Sequence, residues 1–286
     1  MKTLAKIAVI VSAVLMLFSL LTGALYRVFI DKGWVQKEYV RLNIEEETGW
    51  SPEYCTFVLG SMMDYSIKKR STLEDVPLLP VEEGEMFFNE SELSHMKDVR
   101  ALTVKVLNLG FAALIIGTVL LLFAFLVLMK GAFKPFSKAF LIALGVLLLI
   151  VIGLGIWMAV DFDSFWTAFH IVFLDLESST FDPAVSNMIK ICPAELFFDI
   201  IKHFALIAGL GLLGPVIFSI VWVVLKSKNL EKPLTTTQKI ALVLQTITVI
   251  GALAGLIADM NKYMGLLLIP GIVGSLIMVI GRKNQN

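Results

Sequence analysis

Three histidines, His95, His170 and His203, stand among 286 residues, and proton transfer is the chemistry they suit. An imidazole has a baseline pKa of ~6.5, so histidine is the commonest general acid or base near neutral pH. His95 lies in Glu92-x-x-His95-x-x-Asp98, an i, i+3 series that puts all three side chains on one face of a helix. His170 falls within a run in which Phe162, Phe165, Trp166, Phe169 and Phe173 recur at helical spacing, with the histidine at the edge of their stripe. An aromatic stripe of this kind fits an interfacial belt at a membrane surface. His203 has only Asp199 as a nearby carboxylate in sequence and reads as a hydrogen-bonded interface residue. The same plain reading is open to the other two. A metal-dependent hydrolase would draw its ligands from His95, Asp98, His170 and Glu177, but no His-x-x-x-His or Cys-x-x-Cys spacing accompanies them, and the expectation is no metal and no cofactor.

The elements that must position these residues follow from composition. The chain is 57% hydrophobic and 17% charged, well beyond the apolar share of an ordinary soluble domain, so a membrane protein is expected. With 24 basic and 24 acidic residues, there is no basic excess to attract nucleic acid. Six apolar runs are long enough to span a bilayer, near residues 7–26, 106–129, 139–160, 204–225, 240–258 and 263–281. Lys2 and Lys6 precede the first, whose length exceeds a signal-peptide core and predicts an uncleaved anchor. Lysines and arginines then cluster on alternate sides: Lys2, Lys6, Lys130, Lys134, Lys138, Lys226, Lys228, Lys232, Lys239, Arg282 and Lys283 share one. By the positive-inside bias that side is cytoplasmic, both termini lie inside, and segments 28–102 and 161–203 face out. The predicted fold is an all-α polytopic membrane protein. It has an anchor over 1–27, an extracytoplasmic head over 28–102, three further spans over 103–226, and an added two-helix hairpin over 239–281.

Transport is disfavoured, because the second, third and fourth spans hold no Asp, Glu, Lys, Arg or His between Leu107 and Met129, Leu141 and Val160, or Leu206 and Leu225. Gly209, Gly211, Gly214 and the Gly251-x-x-x-Gly255 pair predict close helix contacts, and Gln245, Thr246 and Thr248 interhelical hydrogen bonds. Outside the spans, Ser51-Pro52 predicts a capped helix start, ending near Lys68-Lys69-Arg70. That basic run reads as a solvated helix end that anionic head groups could also meet. Asn89 and Glu92 form a capping-box pair, and no proline follows until Pro135, so one helix is predicted to run from the head into the membrane. Cys55 and Cys192 both fall outside, but two intervening spans argue against their pairing.

Two stretches carry a resemblance. The run Phe88-Asn89-Glu90-x-Glu92-Leu93-Ser94-His95-Met96-x-Asp98-Val99-Arg100-x-Leu102 resembles the first signature of the bacterial DUF1461 membrane family of lipoprotein intramolecular transacylases. Phe165-Trp166-x-x-Phe169-His170-x-x-Phe173, with Phe181-Asp182-Pro183 and Pro193-x-x-Leu196-Phe197-Phe198, is similar to the second, and Met63-Asp64-Tyr65 is a weaker echo. The likeness covers roughly residues 1–226. It departs at Leu176-Glu177-Ser178-Ser179-Thr180, where an Asn-Asp pair is usual, and at Ser186, where an acidic residue is common.

The resemblance implies a diacylated bacterial lipoprotein as substrate, membrane lipids as surroundings, and transfer of the sn-2 acyl chain from glycerol oxygen to the amino group of the lipoprotein's N-terminal cysteine. Nucleophile and ester then sit on one molecule, which supplies proximity and removes the need for a serine or cysteine nucleophile. His95 and His170 are the expected acid/base pair. Asp98, Arg100, Glu177 and Asp182 are expected to support or orient it, and Trp166, Phe169 and Phe173 to line the acyl chain or the interface. The non-enzymatic alternative is a membrane protein whose outer domain binds a partner.

Overall fold

The computed structural model describes residues 1–79, 85–174, 181 and 186–224, and every regular element among them is a helix. In chain order these are α1 (Lys2–Ile30), α2 (Lys32–Arg41), α3 (Ile44–Thr48), α4 (Pro52–Ser66), α5 (Glu90–Leu128), α6 (Phe133–Val160), α7 (Phe162–Phe173), α8 (Asn187–Ile191) and α9 (Ala194–Val224). Four of them, α1, α5, α6 and α9, are long and apolar enough to cross a membrane, and they contain the first four expected spans to within a residue or two. The hairpin expected over 239–281 lies outside the described residues.

Local chemistry sets the helix starts. The Ser51 hydroxyl accepts the Tyr54 N–H at 3.2 Å, with Pro52 at the first helical position of α4. At α5, Asn89 Oδ1 accepts the Glu92 N–H and Glu92 Oε2 accepts the Asn89 N–H, both at 2.9 Å, which is the reciprocal box expected from the sequence. Asp161 breaks the chain between α6 and α7 and caps the latter through the Ser164 N–H at 3.0 Å.

The chain divides into two compact units. Among the described residues, one comprises Met1–Gly23, Ala112–Val146 and 209–224. Here the Ser12 hydroxyl donates to the Gly117 carbonyl at 2.8 Å. A Cβ at Gly117 would stand 3.2 Å from that of Leu15, so glycine is what lets α1 and α5 approach. Gly209, Gly211 and Gly214 were expected to serve such contacts, but a Cβ added at any of them would meet nothing within 4 Å among the described residues. Gln245, Thr246, Thr248, Gly251 and Gly255 lie outside those residues.

The other unit comprises Ala24–Phe111 and Leu147–Ala208. Its apolar core gathers Val35 and Tyr39 of α2, Ile44 of α3, Cys55, Val58 and Met62 of α4, Phe87 and Phe88, Met96 of α5, and Met188, Ile191 and Leu196. Burying each large side chain contributes ~1.5–3 kcal/mol, and so holds the segments before and after the middle spans together. The Tyr39 hydroxyl adds a hydrogen bond of 2.8 Å to the Ile191 carbonyl. Cys55 and Cys192 both belong to this core region as free thiols, pushed up by burial to about 11 and about 12.

Candidate active site

α5 is 39 residues long, ~58 Å at 1.5 Å per residue, whereas a bilayer core needs only ~30 Å. Its apolar run begins at Val106, so the turns carrying Glu92, His95 and Asp98 precede the membrane-spanning part. α7 supplies the second histidine. Ile171, Val172 and Phe173 on this helix are more than half exposed, while His170 is buried, so α7 is amphipathic and turns its histidine inward.

The two imidazoles meet. Their ring centroids are 5.7 Å apart and their planes differ by 27°. His170 Nδ1 lies 2.8 Å from the Trp166 carbonyl one turn earlier. A carbonyl only accepts, so Nδ1 is the donor and Nε2 of neutral His170 bears the lone pair. Trp166 and Phe169 pack against this ring at 4.6 and 5.6 Å, and Phe181 meets His95 edge-on at 5.3 Å.

His95 is 8% exposed, and its Nδ1 has no hydrogen-bond partner among the described residues. Burial pushes its pKa down to about 4; the neighbouring His170 adds to the fall, and the charge of Asp98 opposes it. The imidazole is therefore neutral at physiological pH. Two imidazoles at this separation let one reacting group lie between them, near the ~2.6–3.2 Å reach of a nitrogen from each.

The other expected site residues distribute differently. Glu92 is completely buried, but its Oε1 accepts the Ser186 hydroxyl at 2.6 Å and the Met188 N–H at 2.9 Å. It fastens the first turn of α5 to the entry of α8, one helical turn from His95. The sequence marks Glu92 as a cap, whereas its tie to Ser186 needed the fold. Arg100 lies on Tyr65, with its guanidinium 4.4 Å from the ring centroid, and Nη1 donates to the Arg70 and Ser71 carbonyls at 3.3 Å. Trp166 packs on Phe197 at 4.5 Å, and Phe173 on Phe169 at 5.2 Å, continuing the aromatic stripe from the histidine. Glu177 and Asp182 lie outside the described residues. His203 stacks on Trp34 at 4.3 Å and sits 3.2 Å from Asp31 Oδ2, so its carboxylate partner is Asp31 and not the Asp199 that sequence proximity offers. Among the described residues no three His, Cys, Asp or Glu side chains are grouped to hold a metal ion.

Comparison with known proteins decides the family. The sequence model of the lipoprotein intramolecular transacylase Lit matches residues 9–198, two thirds of the chain. The chain belongs to the Lit family. Both histidine motifs fall within the matched range. The fold agrees: the structure of Lit from Bacillus cereus aligns with a TM-score of 0.57 at 20% identity, over 79% of this chain and 94% of that one. Two structures of the same Lit protein, each with one histidine replaced, by arginine or by alanine, align with the same score at 19% identity. They cover 81% of this chain and 95% and 96% of theirs. No curated protein matches the sequence. Membership in the Lit family identifies an enzyme class, a lipoprotein intramolecular transacylase of the membrane.

Proposed function

We propose that this protein moves the sn-2 acyl chain of a diacylglyceryl lipoprotein to the α-amino group of the lipoprotein's N-terminal cysteine, with His95 and His170 as the acid/base pair. The observation that carries the reading is the convergence of two buried imidazoles, 5.7 Å apart, from two helices well separated in sequence. The substrate amine, once deprotonated, attacks the ester carbonyl and forms the C–N bond. Collapse of the tetrahedral intermediate breaks the bond to the glycerol oxygen, and that oxygen takes up the proton the nitrogen gives away. Nothing is oxidised and no water is consumed. The pair shares the two proton transfers, and burial keeps both away from bulk solvent.

The bias of basic residues along the sequence supports an extracytoplasmic site for this chemistry. Both termini are then cytoplasmic, and 28–102 is the head that shelters the site. Asp98 favours the protonated form of His95 and so assists when that ring holds the transferred proton. Trp166, Phe169 and Phe173 offer an apolar path for the acyl chain beside His170. Glu177 and Asp182 remain in the proposal as supporting groups near the same motif.

The test is fragment-ion mass spectrometry of the N-terminal peptide of a diacylated model lipoprotein incubated with the full chain in liposomes. Wild type is expected to yield N-acyl, lyso-glyceryl cysteine at unchanged total mass. His95→Ala and His170→Ala should each slow this by about 10²–10⁴, the usual contribution of a positioned acid or base. Full-rate product from both variants would remove the histidine mechanism, and persistent absence of product from wild type would remove the activity.

A further inference from the structure

On the face of α5 turned away from His95 lies a shallow, open surface cavity of about 340 Å³, lined by Tyr65, Lys68, Lys97, Arg100, Ala101 and Val104. At about 100° per residue, Lys97, Arg100, Ala101 and Val104 fall between roughly 140° and 240° from His95 around the helix. The cavity therefore opens on a different face of the helix from His95.

Three cations converge on it from two helices. Lys97 and Arg100 come from α5, and Lys68 from the end of α4, where it adopts a left-handed conformation (φ 62°). In that turn the N–H groups of Lys69 and Arg70 both donate to the Asp64 carbonyl, at 2.8 and 3.1 Å, which fixes the chain reversal that delivers Lys68. A solvated helix end would account for Lys68, but not for two further cations supplied by a different helix. Arg100 is held on the Tyr65 ring and by two carbonyls through Nη1, leaving other guanidinium N–H groups to donate. Among the described residues no carboxylate lines this cavity. Glu74 lines a smaller neighbouring cavity of about 130 Å³ that shares Tyr65 and Lys97. Arg70 is engaged with Asp75.

We infer that this cavity binds the phosphate of an anionic phospholipid. Arg100 lies six residues before the apolar run that starts at Val106, about 9 Å along the helix, which places it at the outer edge of the ~5–8 Å head-group layer. Ala101 and Val104 form an apolar side that continues toward the hydrocarbon, which suits the glycerol and first methylenes of a lipid and not a free ion. Lys68, Lys97 and Arg100 complement the phosphate and repel the trimethylammonium of a zwitterionic head group, so the site selects net negative lipids.

The test uses the full chain in detergent with short-chain lipids, read by native mass spectrometry. Dioctanoyl phosphatidylglycerol is expected to bind, while dioctanoylglycerol, which lacks the phosphate, and dioctanoyl phosphatidylcholine bind far more weakly. Lys68 and Lys97 are both exposed, so Lys68→Gln/Lys97→Gln should fold normally and lose about 25-fold in affinity, roughly fivefold per cation. Lys190→Gln, a surface cation elsewhere, should bind like wild type, as should His95→Ala, which keeps this result independent of the transacylase reading. Equal binding of the zwitterionic lipid, or unchanged affinity in the double variant, would overturn the site. Competition by inorganic phosphate at the lipid's own concentration would overturn the assignment to a lipid.

Discussion

Burial sets the behaviour of His95. Its folded pKa, about 4, lies below the value of 6.5 that it has when exposed, so the folded state binds fewer protons than the unfolded one. The stabilisation from keeping this ring neutral is complete above pH 6.5 and is lost as pH falls toward 4, amounting to roughly 3 kcal/mol across that window. Thermal denaturation of the detergent-solubilised protein should therefore show wild type losing stability between about pH 7 and pH 4 more steeply than His95→Gln. Parallel curves would mean that the ring is solvated. The same numbers bear on turnover. His95 stays neutral through the physiological range and so imposes no acid limb there, whereas on the proposed reaction the substrate's α-amino group, whose ordinary pKa is ~7.7–8.0, does. Turnover under subsaturating substrate should rise about tenfold per pH unit from about 5 to 7 and level near 8.

At the scale of elements, the decisive joint is between the start of α5 and the start of α8. Glu92 accepts from Asn89, Ser186 and Met188, so removing it strands buried donors at ~1–3 kcal/mol each, whereas Asn89→Ala removes a cap worth ~1 kcal/mol. Glu92→Ala is expected to lower stability by several kcal/mol, and to reduce acyl transfer by loosening the turn that holds His95. Equal melting shifts for the two variants would show that the carboxylate serves only the cap. Ser51-Pro52 and the Asn89–Glu92 box were legible in the sequence because a cap is settled within four residues. So was α7, since its aromatic stripe repeats at the helical period. The contacts that join Glu92 to Ser186, Tyr39 to Ile191 and Asp31 to His203 were not, as they span 94, 152 and 172 residues and leave no local pattern. Ser186 illustrates the limit: by motif it is a departure from an acidic residue, whereas in the fold its hydroxyl donates to a buried carboxylate that a second acid would repel.

For the whole molecule, the proposed orientation makes a distinct prediction. Lys138 at the start of α6 and Lys190 in α8 are both exposed, and the charge bias puts them on opposite sides of the membrane. In a Cys55→Ala/Cys192→Ala background, a membrane-impermeant maleimide applied to intact spheroplasts should label Lys190→Cys and spare Lys138→Cys until the membrane is opened; the reverse pattern would invert the topology. The unbroken course of α5 has a mechanical consequence as well. His95 stands 14 residues from the helix midpoint, about 21 Å, so a membrane-spanning α5 would act as a lever with this histidine at its tip. A change of about 5° in tilt, well within the range that bilayer thickness imposes on spanning helices, would carry that tip by about 2 Å. Since a misplacement of ~1 Å can cost a reaction about 10²-fold, acyl transfer should peak in host bilayers of one acyl length and fall on either side. On the proposed topology, the thickness of the surrounding membrane would then act as a control on the ester reaction above it.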